Sequence, residues 1–207
     1  MVVRGRPRGF DRDAALAQAM QVFWAKGYEG VQLAELTAAM GINPPSFYAA
    51  FQSKEAIYRE ALALYLTTAG AGGMAALRET PGVADAIRAM LMASVEVALA
   101  SPSAGGCMVS LGMVNGQARN APLRDELRAL RQTTAMLIRE RLERGIREGD
   151  LPAETDAGVL ATFYATVMQG LSLQAQDGAS REELVGVVET AMTAIHGNVV
   201  AGQAIAR

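Results

Sequence analysis

Two groups of residues near the start of the sequence have the types and spacing to engage a polyanion. The first is Arg4-Gly5-Arg6-Pro7-Arg8, three guanidinium groups with no acid among the first eight residues. Glycine lets a backbone approach a groove floor and proline holds the chain extended. The arginines suit the negative potential of a narrow, A·T-rich minor groove. The second group is Asn43, Pro44, Ser46 and Tyr48, followed by Lys54. Asn43, Ser46 and Tyr48 have polar groups that reach base edges or phosphates, and the Tyr48 hydroxyl favours a phosphate. Lys54 falls at a predicted helix start, where backbone N–H groups add to its cation to make a phosphate clamp.

The rest of the composition bounds the alternatives. The chain has 207 residues, 51% of them hydrophobic, with 19 Lys and Arg against 21 Asp and Glu. That is a foldable chain of one or two small domains, near-neutral as a whole, so any polyanion is met at one end. Residues 1–58 carry six cations and five acids, and the remainder is acidic. The one histidine, His196, has no nucleophile and orienting acid near it in sequence, which argues against an enzyme. A lone Cys107 excludes an intrachain disulfide and a zinc site of paired thiolates. No cofactor or metal is expected. Gly70-Ala71-Gly72-Gly73-Met74-Ala75 loosely fits a dinucleotide fingerprint but has no strand before it, and reads as a helix end or interruption. Two uncharged stretches, Val97 to Ala118 and Ala157 to Gln176, are interrupted by polar residues and glycines and read as buried helices, not membrane spans. The start lacks the apolar run of a signal peptide, so a cytoplasmic, reducing setting is expected.

Ala and Leu dominate the apolar residues, and the expected fold is all-α. Asp11 caps a first helix in which Leu16, Ala19, Met20 and Phe23 recur at helical spacing until Lys26-Gly27. Leu33, Leu36 and Met40 mark a second helix, closed by Gly41 with Ile42 as its hydrophobic contact. Asn43 caps a short third helix with Pro44 in its first turn, and its Phe47 and Phe51 point back toward Leu36 and Met20. Two short helices joined through a glycine form a helix-turn-helix, whose second helix enters a major groove. Ser53 caps a fourth helix running to about Leu66. Further helices are expected at Val83 to Ala100, Gly106 to Gln117, Leu123 to Glu148, Asp156 to Gln176 and Arg181 to Val200.

Phe23, Gly27-Tyr28, Leu36, Met40-Gly41-Ile42, Phe47-Tyr48, Phe51 and Ser53-Lys54-Glu55 together resemble the DNA-binding domain of TetR-type repressors, with matching spacing from Gly27 to Lys54. The arm resembles the core of an AT-hook; a basic tail that raises only non-specific affinity is the alternative. Two positions depart from the family pattern. Val31-Gln32 stands where a Thr-led pair often caps the second helix, leaving Gln32 to meet the phosphate, and Pro45 stands where a glycine is frequent. The resemblance implies a basic arm over residues 1–9, a three-helix DNA-binding domain over 10–58 and a helical effector-binding and dimerisation domain over 59–207. It implies a homodimeric repressor on a near-palindromic double-stranded operator, released by a small-molecule effector. The rivals are an architectural protein of A·T-rich DNA with no effector, and an enzyme or binding protein with no DNA function.

In the second half, Gly149-Asp150-Leu151-Pro152 followed by Asp156 resembles the family's junction before its last two helices, which pair with their counterparts in a second subunit. Leu160, Phe163, Val167 and Leu171 form one stripe, and Leu184, Val188, Ala191 and Ile195 another; both are expected at a dimer interface. Eleven methionines suggest an adaptable apolar cavity, with Cys107, Met108, Met136, Phe163, Tyr164 and Met168 as its expected wall. Cys107 reads as the start of a helix, which favours a thiolate, while its apolar neighbours favour a small buried hydrophobe.

Overall fold

The computed structural model describes residues 10–100, 106–114 and 116–205, and the side chains of these as far as Ile195. The arm with Arg4, Arg6 and Arg8 lies outside the described residues, as do residues 101–105 between two of the expected helices. The described residues hold nine α-helices, one 3-10 turn and no strand: α1 (Arg12–Gly30), α2 (Leu33–Ala39), α3 (Pro44–Phe51), α4 (Lys54–Thr67), α5 (Ala71–Glu79), α6 (Val83–Leu99), α7 (Ala121–Glu148), α8 (Ala157–Gln176) and α9 (Arg181–Ile205), with the 3-10 turn at Ala118–Asn120 before α7. None of these helices is long and apolar enough to cross a membrane.

The chain divides into two compact units, Met1–Leu66 and Thr67–Arg207. In the first, three of the four helix starts are fixed by a side chain read as a cap from the sequence. Asp11 Oδ1 accepts from the N–H groups of Asp13 and Ala14, Asn43 Oδ1 from that of Ser46 at 2.9 Å, and Ser53 Oγ from that of Ala56 at 3.0 Å. Gly27, at φ 66° and ψ 169°, interrupts α1 where a closing glycine was expected, and helical backbone resumes as far as Gly30. Gly41 takes φ 65°, and the Ile42 N–H donates to the Thr37 carbonyl, which closes α2 and turns the chain into α3. The expected boundary at residue 58 falls inside α4. Tyr58 and Tyr65 are buried edge-on against Phe23 and Trp24 of α1, so α4 belongs to the first unit as far as Leu66.

The second unit packs α6 among α5, α7, α8 and α9 around Ile87, Met90, Leu91, Val95, Ile138, Leu142, Tyr164 and Val188, all with essentially no exposure. Asp150, just past the left-handed cap at Gly149, accepts from the N–H of Val83 at 3.0 Å and ties the end of α7 to the start of α6. Asp156 caps α8, and Ser180 and Glu183 form a reciprocal capping box on α9.

Gly70-Ala71-Gly72-Gly73, expected as a helix end or interruption, lies at the start of α5, where Gly73 brings the helix against the backbone of Met90. One expectation fails here. Gly106 to Gln117 does not form a helix. Gly106 adopts φ 84° and Met113 φ 48°, both outside right-handed helical space; the Leu111 N–H donates to the Cys107 carbonyl, and two further carbonyls are satisfied from α7. Arg131 donates to the Val109 and Gly112 carbonyls at 2.8 and 3.0 Å. Cys107 therefore sits in a turn, half-buried, and not at the start of a helix.

Gly145 gives a direct test of the α6 to α7 contact. A Cβ there would lie 2.8 Å from the Val83 Cβ. Helix propensity alone would make Gly145→Ala stabilising by about 1 kcal/mol. Overpacking against a stiff β-branched side chain reverses the sign, and thermal unfolding of Gly145→Ala is expected to show a loss of about 1–3 kcal/mol.

Candidate nucleic-acid interface

The first unit works as a clamp around one short helix. Eight residues are too few for α3 to be stable alone, so its inner face must be paid for by packing. Phe47 and Phe51 are buried, as their spacing requires. The Arg12 guanidinium lies 4.5 Å from the centre of the Phe51 ring while pairing with Glu60 at 2.7 Å, so α1, α3 and α4 meet at one cation. Lys26 pairs with Glu35 across the α1–α2 junction, and Glu35 also accepts from the Gln32 N–H at 2.9 Å. The Lys26 ammonium, followed by the Gln32 amide, holds the Glu35 carboxyl below its ordinary range.

The outer face of α3 is what this clamp presents. Asn43, Pro44, Pro45, Tyr48 and Ala49 are exposed, and Ser46 is half-buried. Tyr48 is 52% exposed, and its ring stands edge-on to Phe47 at 5.4 Å, so its direction is set from below. The cap changes what Asn43 offers. Its Oδ1 accepts from the Ser46 N–H, which fixes the direction of the carboxamide and leaves its amide N–H groups and a second oxygen lone pair to be presented. Gln32 is exposed at the N-terminus of α2. Lys54 is the first residue of α4, with its Nζ 4.5 Å from the centre of the Tyr28 ring. Sequence reasoning passed over Tyr28 except as part of a family pattern; an aromatic after a chain-turning glycine was the available signal.

The residues expected at the dimer interface separate into two sets. Leu160, Leu171, Leu184, Val188, Ala191 and Ile195 are buried within the chain itself, so the apolar stripes of α8 and α9 are core of the single subunit. Val167 is half-buried and Phe163 is 38% exposed. The outward face of α8 is instead Val159, Thr162, Phe163, Thr166, Gly170 and Leu173, and Val187 is exposed on α9. Gly158, Val159, Thr162, Phe163 and Thr166 line an open groove of about 440 Å³.

The expected cavity wall is not one wall. Phe163 and Tyr164 pack edge-on with ring centres 5.1 Å apart, but they differ in burial. Phe163 faces the outer groove, while Tyr164 is fully buried with its hydroxyl donating to the Ala191 carbonyl, and burial pushes its pKa up to about 12. Met136 is 52% exposed on α7, Met108 is buried in the turn segment, and Cys107 and Met168 are half-buried.

Comparison with known proteins agrees with this architecture. Residues 15–61 match the model of bacterial regulatory proteins of the tetR family, and residues 83–184 match the tetracyclin repressor-like C-terminal domain. The chain is 31% identical over 190 residues to the HTH-type transcriptional repressor ComR of Escherichia coli K12, covering 91% of this chain and 90% of that one. A cysteine-substituted variant of the TetR family transcriptional regulator CifR, solved with a 26-bp operator duplex, superposes with a TM-score of 0.87 at 49% identity, over 91% of this chain and 99% of that one. AibR, solved with isovaleryl coenzyme A and operator DNA, shares the fold at a TM-score of 0.67 and 16% identity, over 86% of this chain and 96% of that one. The chain belongs to the TetR family, helix-turn-helix transcriptional repressors that are not enzymes.

The Asn43 cap predicts a measurable cost. Asn43→Ala leaves the Ser46 N–H without its acceptor and is expected to lower stability by about 1 kcal/mol in thermal or urea unfolding, with Asn43→Ser recovering most of it.

Proposed function

We propose that the protein is a cytoplasmic, homodimeric repressor that binds a near-palindromic operator and is released by a small-molecule effector. The observation that carries this reading is the exposed first turn of α3, held in a fixed direction by buried Phe47 and Phe51. In a dimer, two such helices enter successive major grooves about 34–36 Å apart. Asn43, Pro44 and Ser46 face base edges; Tyr48, Lys54 and Gln32 face phosphates; Arg4, Arg6 and Arg8 follow the minor groove. The architectural alternative rests on that arm alone and gives no role to the presented face of α3.

The outward face of α8 supplies the dimer contact, and Val187 is a further exposed apolar residue on α9. Exposed Val159, Phe163 and Leu173 provide apolar area, and Thr162, Thr166 and Gly170 let a second helix approach closely. The effector site of this proposal lies where the turn segment from Gly106 to Val114 meets α6, α7 and α8. In support, the Gly106 N–H donates to the Ala98 carbonyl, Arg131 holds the segment on α7, and a Cβ at Gly106 would lie 2.8 Å from the Ser172 carbonyl. Cys107 and Met108 belong to this segment. An effector acts only through its different affinity for the DNA-competent and incompetent dimers.

Two measurements test the reading. Phe163→Glu, on an exposed face, is expected to give a folded monomer in sedimentation, whereas Leu171→Glu, in the subunit core, is expected to unfold. A folded dimer of Phe163→Glu would move the interface elsewhere. Lys54→Ala is expected to weaken binding to operator and unrelated duplex alike and to reduce the salt slope by about one, while Ser46→Ala changes base preference. An unchanged affinity and slope in Lys54→Ala would remove the clamp.

A further inference from the structure

We infer that Tyr28 is a positioning residue for DNA binding, its ring holding the Lys54 ammonium in place to meet a phosphate. The inference rests on the reading of Lys54 as a phosphate contact and adds the residue that prepares it.

Lysine is a point charge on a flexible stem, and fixing it costs side-chain entropy whenever it binds. Here that cost is met before DNA arrives. Gly27 turns the backbone at the end of the long run of α1 and sets the Tyr28 ring roughly parallel to Phe23 at 6.3 Å and edge-on to Tyr58 at 5.0 Å. Phe23 and Tyr58 are themselves buried and packed edge-to-face at 5.0 Å. The ring is thus an outer member of an aromatic cluster anchored in the core, and Lys54 Nζ lies 4.5 Å from its centre.

A ring is a suitable seat for a cation that must still bind something else. Its quadrupole attracts the ammonium without neutralising its charge, as a carboxylate would. Glu35 is within electrostatic range of Lys54, with one of its oxygens accepting from Lys26 and the other from the Gln32 N–H. Lys54 is also the first residue of the 14-residue α4, so the seated ammonium and the positive end of the helix act on the same anion.

The test is a double-mutant cycle on the full-length dimer with an operator selected from a random-sequence pool and an unrelated duplex as control. Tyr28→Leu is expected to weaken operator binding about two- to fivefold, the range of one partly exposed cation–π contact. Tyr28→Phe, which keeps the ring and loses the hydroxyl, is expected to bind as the parent does. In the Lys54→Ala background, Tyr28→Leu is expected to have no further effect. An equal loss in both backgrounds, or a loss in Tyr28→Phe as large as in Tyr28→Leu, overturns the positioning role while leaving the Lys54 clamp standing. No effect of Lys54→Ala by itself overturns both. Should Tyr28→Leu fail to fold, the parent protein still decides. Seating on the ring predicts upfield ring-current shifts of the Lys54 side-chain protons, preserved in Tyr28→Phe, and ordinary shifts would overturn it.

Discussion

The first unit depends on burying two aromatic rings from a helix of eight residues. Phe47 and Phe51 attach α3 to the protein, and without them its exposed face would have no fixed direction. The neighbouring elements serve that attachment. Arg12 bridges the Phe51 ring to Glu60, Gly41 turns α2 into α3, and Tyr58 and Tyr65 bring α4 against α1. Because α3 is too short to be stable alone, recognition and stability are coupled. A change in the core beneath Phe47 is a change in the aim of Tyr48.

Asn43 shows this coupling at one residue. Its carboxamide oxygen accepts from the Ser46 N–H and stabilises the helix start, and the same bond fixes the direction in which the side chain is presented on the exposed first turn. Tyr28 and Lys54 show a related economy, since the aromatic cluster that closes the core also carries a cation at its rim.

The first unit was legible in the sequence because its signals are local. Asp11, Asn43 and Ser53 each precede their helix and cap it, and Gly27 and Gly41 take the positive φ their positions implied. The second unit was less legible for a reason specific to helices with two packed sides. Leu160, Leu171, Leu184 and Val188 make the most apolar stripes of α8 and α9, and hydropathy alone cannot tell a subunit's own core from an interface; here the strongest stripes went inside. The outward face mixes Thr and Gly with Val159, Phe163 and Leu173 and so reads weakly. The turn segment after Gly106 was misread because its apolar residues suggested a helix. Its conformation is set by glycines and by Arg131 donating from α7, a contact between residues far apart in sequence.

The central claim is that two copies of this chain read a symmetric site through α3. Sequencing of duplexes captured by the full-length protein from a random pool tests it most directly. The account predicts an inverted repeat whose half-sites are centred about one helical turn, 10–10.5 bp, or a multiple of it apart. Enrichment of A·T-rich duplexes with no symmetry would contradict it and would mean that the arm, and not α3, selects the DNA.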